Sequence, residues 1–138
     1  MAAMMMLGAE GVQLGTRFVC SHEASCHSSF KERVARVETG EGDTKLMMKA
    51  LTPVRLLKND FADRVAKLEG SGASKEELLE LLGTGRSMRG MFLGDLEDGE
   101  LEIGQVSALI HDILPAATIV SNIWNEFEDA LAMPIRRY

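Results

Sequence analysis

The stretch Gly11-Val12-Gln13-Leu14-Gly15-Thr16-Arg17-Phe18 reads as a short apolar strand running into a glycine and a threonine. Val12 to Leu14 are apolar enough for burial on both faces, the habit of strands in parallel sheets. A glycine at the carboxyl end of such a strand lets a ligand come close to the backbone. The threonine beside it adds a hydroxyl and a further N–H. Two adjacent N–H groups and a hydroxyl at a strand end suit a phosphate. Gly15 and Thr16 are therefore the first candidate ligand-binding residues.

Residues 1–8 before this stretch predict a helix, because Met, Ala and Leu are good helix formers and Gly8 suits its stop. It has no N-cap, and it is apolar on every side, as in a buried turn. A helix end, a Gly-Ala-Glu-Gly turn and a buried strand make an αβ step, and no other segment of the chain offers that strand a parallel partner. Beyond it, Ser21 to Ser25 supply cap-type residues for a helix over Cys26 to Val37, with Phe30, Val34 and Val37 at helical spacing. Glu38 to Asp43 reads as a turn; Thr44 to Leu51 suits a strand or a helix, and the strand is preferred. Pro53 fixes a bend. Asn59 or Asp60 caps a helix to about Glu69, with Phe61, Val65 and Leu68 on one face. Gly70 to Ala73 break the chain. Ser74-Lys75-Glu76-Glu77 is a capping box ahead of a leucine run. Further helices are expected from Arg86 to about Leu93, from Ile103 to about Ile113, and from Pro115 to about Ala132.

The 138 residues suffice for one small domain, and 46% are apolar, which excludes a disordered composition. Net charge is −6 with no basic stripe, so nucleic acid is not an expected partner. Arg and Lys between Arg55 and Lys67 interleave with acids and read as a solvated face. The run Ile110 to Ile123 is too interrupted for a membrane span. The short apolar start has no basic residue before it, so a secretory signal is rejected and a cytoplasmic location is expected. Cys20, His22, Cys26 and His27 invite a zinc reading, but they crowd into eight residues rather than two knuckles, and a loop with Cys20 half-buried is preferred. The acidic stretch Gly94 to Glu100 lacks EF-hand spacing and reads as a solvated loop. No metal site is expected.

Four blocks, in order, resemble the nitronate monooxygenase family, which includes the flavin-dependent enoyl-acyl-carrier-protein reductases. Gly8 to Phe18 resembles the last barrel strand of that family. His27-Ser28-Ser29-Phe30-Lys31 is similar to its His-x-x-Tyr/Phe-Lys step. Val54-Arg55-Leu56-Leu57-Lys58-Asn59 is similar to its Val-Arg-x-Leu/Ile-Lys-Asn segment. Gly94-Asp95-Leu96 followed by Ile103-Gly104-Gln105 is similar to its Gly-Asp-Val and Ala-Gly-Gln elements. The resemblance runs to about Ile113.

The resemblance implies an α/β fold: the last helix and strand of a β/α (TIM) barrel flavoprotein at 1–21, a mostly helical substrate-side domain at 22–113, and a C-terminal helix at 114–138. The portion would be mainly α. It implies FMN as cofactor and NAD(P)H as cosubstrate. Gly15 and Thr16 would take the FMN phosphate, with Gln13 near the flavin and Gln105 approaching flavin or substrate. The substrate would be a small molecule or an acyl-carrier-linked enoyl thioester, or an alkyl nitronate in the other branch. The family's first flavin-binding strand, its mid-barrel histidine and the phosphate glycines after its seventh strand have no counterpart here. His22, His27 and His111 do not match that histidine, so no catalytic residue is assigned. The chain reads as a C-terminal fragment, inactive alone. The alternative is a non-catalytic helical module whose exposed apolar residues 1–18 favour self-association.

Overall fold

The computed structural model describes residues 1–37 and 44–133. The elements in chain order are α1 (Ala2–Met6), α2 (Thr16–Val19), α3 (Ser28–Ala35), β1 (Thr44–Met47), β2 (Val54–Leu57), α4 (Asp60–Gly70), α5 (Lys75–Leu82) and α6 (Ala116–Ala132). A π-helical turn spans Met88–Phe92, and a 3₁₀ turn spans Gln105–Leu109. The turn expected over Glu38 to Asp43 lies outside the described residues. Among the described residues, no helix is long and apolar enough to cross a membrane.

β2 is the wall of the molecule. Its one edge pairs antiparallel with β1, Thr44 opposite Leu57 and Met47 opposite Val54. Its other edge takes the segment Leu101 to Ile103: Leu57 N–H donates to the Leu101 carbonyl at 2.9 Å, and Ile103 N–H to the Arg55 carbonyl at 3.0 Å. Successive strand side chains point to opposite faces. Leu57 therefore joins Phe30, Val34, Leu101 and Ile110 in one core, while Leu56 joins Met48, Phe61, Val65 and Leu78 in the other.

Several expectations need correction. Residues 12–14 form no strand; Val12 and Leu14 are exposed, and no segment among the described residues pairs with them. An isolated extended segment leaves its backbone groups to water, so it gains nothing from strand geometry. The turn α1 is exposed from Met4 to Leu7 rather than buried. The helix expected from Ile103 to Ile113 shrinks to the 3₁₀ turn. Its start is used as a strand beside β2, and just past its end Leu114 bridges to Ser21. α3 is capped by His27, whose Nδ1 accepts from Ser29 N–H, and not by Ser21 to Ser25. Cys20 is fully buried.

Other features agree with the sequence. Asn59 caps α4, its Oδ1 accepting from Ala62 N–H at 2.9 Å. The capping box of Ser74 and Glu77 forms. β1 occupies the first part of the expected strand.

The acidic loop is an ion-pair hub rather than a solvated loop. The Asp98 carboxylate receives Arg64, Arg86 at 3.2 Å and Arg89 at 2.9 Å. Arg86 also covers the Phe61 ring, 4.7 Å from its centroid. Asn59 Nδ2 donates to the carbonyls of Leu96 and Gly99, at 3.0 and 2.8 Å, and so fastens the loop to the start of α4. Gly90 and Gly99 lie face to face. A Cβ on Gly90 would fall 2.6 Å from the Glu100 carbonyl oxygen, and one on Gly99 would fall 2.2 Å from Gly90 Cα.

Two predictions arise here. Gly90→Ala forces two backbones apart and should cost about 1–3 kcal/mol in urea unfolding. Gly70→Ala, in the last turn of α4 with open space around it, should be neutral or stabilising by up to about 1 kcal/mol. The second concerns pH. The hydrogen bond from Arg64 holds Asp98 below its usual range, and the Asp98 N–H does the same for Asp95. Depressed carboxylates stabilise the fold above their ordinary pKa of 3.8, and that contribution is lost as the pH falls through the lower folded values. Glu100 is buried, and burial raises its carboxyl above the ordinary 4.5, so its contribution has the opposite sign and is lost as the pH rises through the raised value. Urea midpoints measured across acid and neutral pH should show Asp98→Asn less stable at neutral pH with a flatter acid limb. Glu100→Gln should gain stability at neutral pH only.

Candidate functional site

Gly15 stands just before α2, and its carbonyl accepts from Phe18 N–H at 2.9 Å and Val19 N–H at 3.3 Å. No heavy atom lies within 4 Å of where a Gly15 Cβ would be, so a ligand can approach its backbone. Gly104 arrives from far along the chain, delivered by the segment paired to β2. A Cβ there would fall 2.3 Å from Thr16 Oγ1 and 3.9 Å from Thr16 Cγ2. Only glycine permits that approach. The structure thus brings Thr16 and Gly104, two separate sequence blocks, into contact.

They open onto a hollow of about 420 Å³ lined by Gly15, Thr16, Val54, Arg55, Glu102 and Gly104, among others. Arg55 is its cation. The period of two along β2 puts Arg55 on the Leu57 side of the strand, and its guanidinium donates to the Thr44 carbonyl and hydroxyl at 3.3 and 3.4 Å. Glu102 is its anion. Strand alternation could have flagged Arg55 in the sequence; Glu102 needed the pairing with β2, which no local pattern reveals.

Gln13 and Gln105 are both exposed, and neither lines the hollow. Gln105 opens the 3₁₀ turn directly after Gly104. Arg17 turns away from Gly15: its guanidinium meets Asp112 Oδ1 at 2.5 Å and the Asp112 carbonyl at 3.2 Å.

The two thiols of the cysteine and histidine cluster both donate to backbone carbonyls. The Cys20 thiol donates to the Lys31 carbonyl at 3.7 Å, and burial pushes its pKa up to about 11. The Cys26 thiol donates to the Val19 carbonyl at 3.5 Å. Among the described residues, no group of three or more His, Cys, Asp or Glu could hold a metal ion. Lys31, which the sequence reading noted only as the end of the His27–Lys31 block, is buried and donates through Nζ to the carbonyls of Ser21 at 2.7 Å and His22 at 3.2 Å, fixing the chain just after α2.

The Thr16–Gly104 contact is tested by a double substitution. Gly104→Ala should destabilise the chain, because the new methyl collides with the Thr16 hydroxyl. Adding Thr16→Ala should recover more than half of that loss in urea unfolding. Additive losses would place the two residues apart.

Comparison with known proteins bears on what this site is. Residues 1–126 match the nitronate monooxygenase family model. A probable nitronate monooxygenase of Staphylococcus aureus (strain MSSA476) is 30% identical over 131 residues, which cover 94% of this chain and 36% of that protein. A probable nitronate monooxygenase of Bacillus subtilis (strain 168) is 43% identical over 44 residues, covering 32% of this chain and 12% of that protein. The solved structure of FabK from Thermotoga maritima superposes with a TM-score of 0.83 at 35% identity, covering 94% of this chain and 40% of that one. The chain therefore spans little more than a third of the length of the Staphylococcus relative. The family match takes in α1 through most of α6, and with them both sides of the Thr16–Gly104 contact: the chain belongs to the nitronate monooxygenase family.

Proposed function

We propose that this chain carries the phosphate-side rim of an FMN site in an oxidoreductase, and that the whole protein's reaction is NAD(P)H-dependent reduction of an enoyl thioester. The observation that carries the reading is the hollow in which Gly15 and Thr16 adjoin Gly104. Three of its residues favour a phosphate: Gly15 leaves its backbone open, Thr16 supplies a hydroxyl, and Arg55 supplies positive charge against the Glu102 carboxylate in the same hollow. Bound FMN would contribute the redox ring for hydride transfer from NAD(P)H to the thioester, acyl-carrier-linked or small. Gly15 and Thr16 would hold the phosphate, Gly104 would give the close approach, Gln13 would lie near the flavin, and Gln105 would approach flavin or substrate. In this reading 1–21 completes a β/α barrel, 22–113 is its substrate-side helical domain, and 114–138 is a C-terminal helix. Likeness to FabK and the blocks at Val54–Asn59 and Gly94–Gln105 favour enoyl reduction over nitronate oxidation, the reaction named for the curated relatives.

In this reading the 138 residues by themselves supply the phosphate side of the site and no turnover is expected of them. FMN and inorganic phosphate should shift the Gly15, Thr16 and Gly104 amide resonances, with half-saturation in about the millimolar range, while riboflavin, lacking the phosphate, should not. Equal shifts with riboflavin, or none with phosphate, overturn the phosphate reading. Chain that purifies yellow and oxidises NADH overturns the claim of inactivity.

A second reading rests on the exposed apolar face. Val12, Leu14, Val120 and Trp124 gather on one shallow apolar groove with Met1 and Phe18, and Leu7 is 82% exposed. Exposed apolar residues gathered on one groove favour association, so the chain should self-associate. Sedimentation should give a mass above that of the monomer, and Trp124→Glu should lower it; a monomer at all concentrations excludes this reading.

A further inference from the structure

The four-residue helix α2 carries Thr16 on its first turn, yet it is too short to hold its own shape. Around it, Phe18 and Val19 N–H donate to the Gly15 carbonyl, and Ser21 N–H to the Phe18 carbonyl, all within one short turn of chain. What fixes it is tertiary. The chain after α2 zips onto the segment before α6: Leu114 N–H donates to the Cys20 carbonyl at 3.3 Å, His22 N–H to the Leu114 carbonyl at 3.0 Å, and Ala116 N–H to Glu23 Oε2 at 2.8 Å. Those bonds hold the far end of α2. On the near side, beside Thr16, one polar tie remains among the described residues: the Arg17 guanidinium, which grips both the carboxylate and the carbonyl of Asp112. Arg17 lines a separate cleft with His111, Asp112 and Asn122, and not the hollow at Gly15.

We propose that Arg17, through Asp112, is a positioning residue that sets the Gly15-Thr16 turn against Gly104, and is not itself an anion ligand. The proposal rests on the phosphate reading of that hollow. An arginine directly after a Gly-Thr turn would ordinarily be taken for a phosphate ligand. Here its charge is already spent on Asp112. Forming the pair removes α2's freedom to swing on its zipped end, so the N–H groups of the turn stand ready for an anion.

The two roles predict opposite behaviour in the Asp112 variant. Inorganic phosphate is titrated into the chain while the Gly15, Thr16 and Gly104 amides are followed. For a positioning residue, Arg17→Met and Asp112→Asn both raise the half-saturating phosphate concentration, by about fivefold for a partly exposed pair. The double variant is no worse than either single one, and Arg17→Lys recovers part of the loss. If Asp112→Asn tightens phosphate binding while Arg17→Met weakens it, Arg17 is a ligand and the proposal fails. It also fails if neither variant changes the titration. If phosphate shifts none of the three amides in the parent chain, the phosphate reading falls, and hydrogen exchange at Phe18 and Val19 decides the positioning role separately. Faster exchange in both variants at an unchanged urea midpoint supports it, and unchanged exchange overturns it.

Discussion

Both edges of β2 are occupied, and the rest of the molecule is arranged by that constraint. A strand of four residues cannot stabilise itself. Paired with β1 on one side and with Leu101 to Ile103 on the other, it becomes the middle of a three-segment sheet whose two faces close two cores. The second pairing has the greater consequence. It carries the chain from the Asp95–Asp98 hub across the molecule and ends at Gly104, against Thr16. Without it, Gly104 has no reason to lie beside Thr16 at all.

The family-like blocks divide accordingly into scaffold and site. His27 caps α3, Phe30 fills a core and Lys31 binds the carbonyls that follow α2. Leu56 and Leu57 face separate cores, and Asn59 caps α4 while holding the acidic loop. These residues shape the protein without needing to touch a ligand. Gly15, Thr16, Gly104 and Arg55 form the hollow itself, and they come from three different blocks.

The sequence announced local features well. Asn59 as a cap, the Ser74–Glu77 box, the Gly70–Ala73 break and the final helix from Pro115 are each set by residues within a turn of one another, so their spacing shows them. It announced distant pairings poorly. Val12 to Leu14 carry strand-forming residues, but a strand requires a neighbour, and none of the described segments supplies one. Ile103 to Ile113 has helical spacing, but backbone bonds to β2 and to the chain near Ser21 compete for it and win. The acidic loop looked solvated because its three arginines lie on other elements: Arg64 on α4, and Arg86 and Arg89 around the π-helical turn. For the candidate site, Gly15 and Thr16 were visible as types at a chain turn. Their partner Gly104 was suggested only through the resemblance; Arg55 was within reach of strand alternation, and Glu102 emerged only from the pairing at β2.

The arrangement of the site rests on one contact between distant blocks, which is open to direct observation. In a nuclear Overhauser spectrum of the free chain, the Thr16 methyl should give a cross-peak to the α protons of Gly104. That cross-peak should accompany those between β1 and β2. If the β1–β2 cross-peaks are present and the Thr16–Gly104 cross-peak is missing, the two halves of the hollow do not meet, and the site as described does not exist in this chain.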